Sequence, residues 1–478
     1  MATDQGSRRG RLARRLRGGS GTPPRRRVVR RVAFALFVVG LGGWWGWTHR
    51  RKETIEEWWG LPTLPAAAVE PAVEVRGPVT FAKDVAPILW AKCAGCHRPG
   101  EVGPFSLLSY RDAARRAEFL REVTESGRMP PWKPEPGFGT FEDDDRLTPR
   151  ERAILARWAD DGAPEGDPAD LPGRPQFPDG WRLGTPDLVV ELPKPFLVHA
   201  DGDDLYRAFV LPLPAGGDRE VVAFEFRPGN RRVVHHSKLF LDPTDASRRR
   251  DADDPGPGFA SVGAADLGQP AIFEWTPGTV PKPFPTGVGQ ILPAGADLVL
   301  FVHYHPDGRP EADRSRVGIY LAKTPLTRHL AGIPLGTSKI DIPAGASHHE
   351  VTASTTLPAP VRVFGLLPHG HFLLRDIRLR AVLPDGNIER LLWIRDWDFD
   401  WQGQYRLASP LLLPAGTRLD LVGTYDNSAA NPRNPTTPPR RVRFGPSSTD
   451  EMLGCHLQVI PDSPDGAEAL RGKYKFGL

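Results

Sequence analysis

After Gly173 the chain is cut into short β-rich runs by turn signals, and that texture limits the folds open to it. Asp187–Leu192, Val221–Phe226, Leu298–Tyr304, Val361–Leu366, Ile377–Val382 and Arg418–Tyr425 alternate or cluster β-branched and apolar residues. Pro-Ala-Gly and Pro-Asp-Gly turns separate them, and helical periodicity is almost absent. Such runs predict antiparallel sandwiches, jelly-roll-like in arrangement. A stretch of about 300 residues is too long for one core and predicts two sandwiches, over 171–330 and 331–478, with the boundary near 325–340.

Ahead of this, residues 77–170 read as helical. Val79–Lys92 places Phe81, Val85, Ile88 and Leu89 at helical spacing, and Arg111–Ser126 makes a second helix. Thr148-Pro149-Arg150-Glu151 is a capping box with proline at the first helical position. The first helix closes on Cys93-Ala94-Gly95-Cys96-His97, the spacing of a c-type haem attachment site, with His97 as proximal iron ligand. Met129, in Arg128-Met129-Pro130-Pro131-Trp132, is the expected sixth ligand. The stretch 79–165 resembles a class I-like cytochrome c, so an all-α cytochrome c domain with one covalent haem c is expected over 77–170.

The formal charge of +4 hides two opposite parts. Residues 1–52 hold 14 Lys and Arg against Asp4 alone, which leaves 48 basic and 57 acidic residues, a net of −9, for the rest. No nucleic-acid partner is expected of that acidic remainder. Eleven arginines between Arg8 and Arg31 form a basic cytoplasmic tail before the apolar run Val32–Trp47. Sixteen helical residues span about 24 Å, short of the ~30 Å hydrocarbon core. Flanking arginine and terminal Trp44, Trp45 and Trp47 still suit an uncleaved signal anchor at 32–47, with a cleaved signal peptide as the alternative. The expectation is therefore a single-pass protein of a bacterial inner membrane. Its catalytic domains would lie in the periplasm, beyond a tether at 48–76.

The β region carries three tight histidine pairs. These are His235-His236, His303 with His305 around Tyr304, and His369 with His371 around Gly370. Histidines two apart on a strand share a face and can chelate one ion. Adjacent His235 and His236 can do so only if the backbone bulges, which the neighbouring Pro228-Gly229-Asn230 makes plausible. Met452 is one of three methionines in the chain, and a thioether beside imidazoles selects copper. His348-His349 sits in a turn and is read as non-functional. Cys455 has no partner once Cys93 and Cys96 hold haem. A blue-copper site of Cys455, His456 and Met452 has the wrong chain order for its usual loop.

His-His, then His-Tyr, then His-x-His, then Asp450-Glu451-Met452 over two β domains resembles the copper type II, ascorbate-dependent monooxygenases. Peptidylglycine α-hydroxylating and dopamine β-monooxygenase are members of that family. The resemblance covers about 185–460, and the cytochrome module ahead of it suggests a bacterial, planctomycete-type branch. It implies two copper ions. His235, His236 and His303 would hold the electron-storing copper. His369, His371 and Met452 would form the catalytic oxygen-binding copper site. The implied activity is hydroxylation of an aliphatic C–H with O2, on a small-molecule or peptide substrate. Electrons would arrive from a periplasmic donor through the fused haem. His305 is left open as a ligand or a supporting group, and no substrate residue carries over. Trp393–Tyr405 and Tyr425-Asp426-Asn427 could line a pocket or pack a core. The alternative function is a non-enzymatic electron-transfer or copper-binding protein.

Overall fold

A computed structural model describes residues 54–60, 73–178, 180–268 and 271–474. The chain divides into two units, residues 1–64 and 65–478. In the first, the described part is a short helix, Ile55–Trp59. The second holds everything discussed below.

Two β-sandwiches dominate it. In the first, one sheet runs in the order Leu188–Glu191, Arg316–Leu321, Arg219–Arg227, Val288–Leu292, Arg328–His329. The facing sheet runs Phe259–Ala260, Leu205–Pro212, Asp297–Tyr304, Val234–Asp242, Phe273–Trp275. Phe224 and Val317 from one meet Leu239 and Leu300 from the other in a single apolar core. Asp297–Tyr304 is central and buried along its whole length, which explains why it reads as a continuous apolar run instead of an alternation.

The chain enters the second sandwich at Ala331. One sheet has the order Ala331–Thr337, Leu453–Pro461, Val361–Gly370, Tyr405–Leu413. The other has His349–Thr356, Arg418–Tyr425, Leu374–Val382, Ile388–Ile394. Leu335, Val363 and Leu457 pack against Leu379, Leu421 and Ile394 between them. His349–Thr356 shows the simplest cause: Val351 and Ala353 face the core while their neighbours face solvent.

Two expectations are corrected here. The all-α cytochrome c domain does not form over 77–170. The helices are short, at Phe81–Val85 leading into Ala86–Lys92, Tyr110–Ala114, Ala117–Glu125 and Pro149–Asp160. Phe81, Leu89, Leu120 and Trp158 give them a small core of their own. The stretch after Glu125, broken by Pro130, Pro131, Pro134 and Pro136, cannot continue a helix and joins the second sandwich instead. Glu135 N–H donates to Trp393 O at 2.7 Å and Glu142 N–H to Arg406 O at 2.9 Å. Phe141 bridges to Leu407 and sits in the sandwich core.

The single-pass anchor and the inner-membrane placement built on it are also corrected. Among the described residues no helix is long and apolar enough to cross a membrane. The run Val32–Trp47 lies outside the described residues.

Candidate metal centre

His235, His236 and His303 come together because of a bulge. Val234 pairs with Tyr304 and His236 with His303, so His235 is the extra residue on its strand. A bulge re-aims a side chain, and here it turns two adjacent histidines to one side. His236 Nδ1 lies 3.2 Å from His235 Nδ1 and 3.2 Å from His303 Nδ1. One ligand atom from each lies within 4.8 Å of the others, the one such cluster of His, Cys, Asp or Glu among the described residues. Tetrahedral ligation at about 2.0–2.1 Å requires nitrogens about 3.3 Å apart, which is this spacing. The donor set therefore fits a soft or borderline ion.

Burial lowers His235 to about 4 and His236 well below its ordinary value, with neighbouring imidazoles adding to the effect. Both are thus neutral near pH 7, the form that ligates metal. His303 is turned by Asp204, whose carboxylate accepts from His303 Nε2 at 2.8 Å, leaving Nδ1 toward the cluster. Tyr206 stacks on the His303 ring at 4.4 Å. His305 donates to the other oxygen of Asp204 at 2.7 Å, so it supports the carboxylate instead of entering the cluster. Burial would raise Asp204, yet the hydrogen bonds from His303 and His305 outweigh it and hold the carboxyl at about 2.

Asp204 was not legible as a site residue in the sequence, where it is one of several acids before a strand. The Leu205–Tyr304 pairing puts it beside His303 and His305. Asp204→Asn is expected to weaken metal binding at this cluster about 10- to 100-fold, because carboxylate partners of ligating histidines have effects of that size. Competition titration against a chelator measures it.

The second group is assembled by register. His369 pairs with Gly454 and Gly370 with Leu453, so continuing the ladder sets Met452 opposite His371. His369, His371 and Met452 therefore share one face of the sheet. The two rings are perpendicular at 5.3 Å. His369 Nδ1 donates to Gln402 Oε1 at 2.6 Å, and His371 Nδ1 to the carbonyl of Asp450 at 3.2 Å. Each ring is tied at Nδ1, which leaves Nε2 for a metal. Burial pushes His369 down to about 3, helped by Lys238 and His371, and His371 down to about 4.

Glu451 ties the two segments together. Its buried carboxylate accepts from the N–H groups of His371 at 3.0 Å, Leu373 at 2.6 Å and Met452 at 3.2 Å. Burial pushes it up to about 8 against those N–H groups, which favour the ionised form. Tyr425 O–H donates to Met452 O at 2.8 Å, so the aromatic flagged in the sequence lies under the loop.

Both groups face one cavity of about 520 Å3, with Met452 in its wall. Phe399 stacks on His235 at 5.7 Å and meets His371 edge-on at 5.8 Å, joining the two sides. Of the Trp393–Tyr405 segment, Phe399, Asp400, Gln402 and Gln404 line the cavity while Trp393, Trp397 and Tyr405 are buried. Cys455 is buried and its thiol is pushed up to about 12 by burial. His456, on the next residue of the strand, approaches Glu274 at 3.6 Å.

The Cys93–His97 segment forms a compact turn at the end of Ala86–Lys92. Cys96 N–H and His97 N–H both bond the carbonyl of Cys93, at 3.1 and 2.9 Å. His97 Nδ1 donates to Phe105 O at 3.3 Å, which leaves Nε2 available as a ligand atom. Gly103 lies so close that a Cβ there would come within 2.7 Å of His97 Nδ1. Burial raises the Cys93 thiol to about 12 and also raises Cys96. These residues fit a covalent haem with a single oriented imidazole. Met129 is 37% exposed and is not part of the apolar core against which Cys93 packs.

No family model matches the chain, and neither does any curated protein sequence. Solved structures overlap it weakly. A PBCV-1 virus capsid structure is 9% identical over 60% of this chain and 97% of that one, with a TM-score of 0.22. PNGF-II is 10% identical over 57% and 65%, with a TM-score of 0.25. The major capsid protein P2 from bacteriophage PM2 is 10% identical over 57% and 97%, with a TM-score of 0.23. Overlaps this loose carry no argument about fold or function.

Proposed function

We propose that the chain is a copper-dependent monooxygenase that hydroxylates an aliphatic C–H with O2 and draws electrons through a haem c on Cys93 and Cys96. One observation carries the reading: a three-imidazole set and a two-imidazole-plus-thioether set face the same cavity. The resemblance to the copper type II, ascorbate-dependent monooxygenases supports it as well. An imidazole–thioether set selects copper over harder ions.

Copper at both sets would supply one-electron chemistry toward O2. The chain's own residues do the rest. His235 and His236 are held neutral by burial, and His303 converges on them with its ring fixed by Asp204. His369 and His371 are oriented through their Nδ1 atoms by Gln402 and the Asp450 carbonyl. Met452 contributes the soft donor that favours the reduced ion. A cavity of about 520 Å3 is the right size for a small substrate between the two sets. Phe399 places an aromatic face between the two sets, against His235 and His371.

Purified protein is expected to hold about two copper ions and one haem per chain. His369→Ala is expected to lose one copper and keep the other, read by metal analysis and Cu(II) electron paramagnetic resonance. In single turnover, reduced protein mixed with O2 and candidate substrates should yield hydroxylated product. Full copper and haem loading with no oxygen uptake across substrates would instead favour an electron-transfer or copper-binding protein.

A further inference from the structure

We infer that the seam between the Cys93–His97 segment and the first sandwich is an electron port, with Trp275 as the relay into the His235–His236–His303 cluster. The inference rests on the copper-and-haem reading above.

Trp275 faces both sides. It lines the large cavity together with His235, His236 and His303. It also lines a separate gap of about 40 Å3 whose other walls include Cys96, Glu101 and Arg231. A gap of that size holds only a few waters. Trp275 is buried, and its strand pairs it with Ser237, the residue that follows His236. An indole thus stands between the cysteine that would carry haem and the strand that carries two of the three imidazoles.

The seam is fastened at this spot. Glu101, four residues beyond His97, takes Arg98 at 2.8 Å, Arg182 at 3.0 Å and Arg231 at 2.7 Å. Arg182 also donates to the carbonyl of Gly95, inside the Cys-x-x-Cys turn, at 3.1 Å. Arg231 lies just before the strand that bears His235. One carboxylate therefore pins the haem-type turn, the segment leading into the first sandwich and the approach to the cluster. A half-buried cluster of this kind is weak evidence for stability, but it fixes geometry. Fixed geometry is what an electron step between two sites needs.

The step balances simply. With haem held by His97 and copper by the cluster, one electron would pass from ferrous iron, leaving it ferric, to cupric ion, leaving it cuprous, with no bond, proton or further reactant involved.

The test is flash photoreduction of the haem in the fully oxidised, copper-loaded full chain under argon. Decay of the ferrous absorbance is followed alongside the Cu(II) resonance signal. Wild type should decay at a rate independent of protein concentration as Cu(II) signal is lost. Trp275→Leu should slow that decay about tenfold or more with haem content, copper content and the Cu(II) spectrum unchanged. Trp275→Phe, the better-packed variant, should also slow it, by less. Glu101→Gln should slow it by loosening the seam without touching the cavity. Decay as fast as wild type in both Trp275→Phe and Glu101→Gln would overturn the port. So would loaded wild type that shows no intramolecular decay. Protein that never holds haem or copper would instead overturn the function on which the port rests.

Discussion

Replacing Glu451 by alanine is expected to remove metal from the His369–His371–Met452 group while leaving the other cluster loaded. The carboxylate is fully buried and accepts three backbone N–H groups, from His371, Leu373 and Met452. Truncation leaves three buried donors without a partner, at about 1–3 kcal/mol each. Water entering the space recovers part of that, so a net loss of about 3 kcal/mol or more is expected. The geometric consequence matters more. His371 and Met452 lie on different strands, and Glu451 is the group bonded to both. Without it their spacing is set by the ladder that ends at Gly370 and Leu453 and by the His371 Nδ1 bond to the Asp450 carbonyl. Glu451→Gln keeps the shape but turns an amide N–H toward a backbone N–H, so an intermediate loss is expected. Urea unfolding gives the stability, and metal analysis should fall from about two to one per chain. Two retained coppers in Glu451→Ala would show that the ladder and the His371–Asp450 bond position the group without Glu451.

How much of this was legible in the sequence follows the range of each interaction. The sandwiches announced themselves because alternation and turn residues are local signals, as in Val351 and Ala353 of His349–Thr356. The histidine pairs were visible for the same reason. Convergence of His235 with His236 was legible only as a condition, since the bulge depends on pairing with a strand nearly 70 residues away. Asp204, Gln402 and the clamp of Glu451 on His371 carry no local signature; they act through contacts 99, 33 and 80 residues apart in sequence. The helical stretch failed differently. Arg111–Ser126 reads as one helix, yet it divides at Arg115-Arg116 into two. Beyond Glu125 the prolines signalled a turn, but nothing local revealed that Phe141 would join the second sandwich's core.

Acid is expected to destabilise the metal-free protein from about pH 6.5 downward, well above the range where carboxylates titrate. Burial, the largest cause at each site, lowers His235 and His371 to about 4, His369 to about 3 and His236 well below 6.5. Unfolded histidine takes a proton near 6.5, so between about 4 and 6.5 the unfolded chain binds protons that the folded chain refuses. Folded values that are depressed mean stability present above 6.5 and lost as pH falls. Each such imidazole contributes up to about 1.4 kcal/mol per pH unit to the slope. Glu451 works the other way. Its raised value of about 8 means the folded chain binds the extra proton between 4.5 and 8, so its contribution declines as pH rises through that range. His97, also lowered by burial, adds to the four imidazoles. Glu135, Asp145, Asp251, Asp313, Asp376 and Asp400, raised by burial, oppose them as Glu451 does, at pH nearer the ordinary carboxylate range. The imidazoles therefore dominate just below 6.5, and the optimum should lie near that pH. Carboxylates held low, such as Asp204 and Glu274 at about 2, act only below their ordinary values of 3.8 and 4.5. Urea midpoints of metal-free protein at steps from pH 4.5 to 7.5 measure the slope. His236→Asn should reduce it by about one proton, which separates the imidazole from every other titrating group. A slope unchanged in that variant would mean that His236 is as protonatable folded as unfolded, and a ring in that state could not wait neutral for a metal.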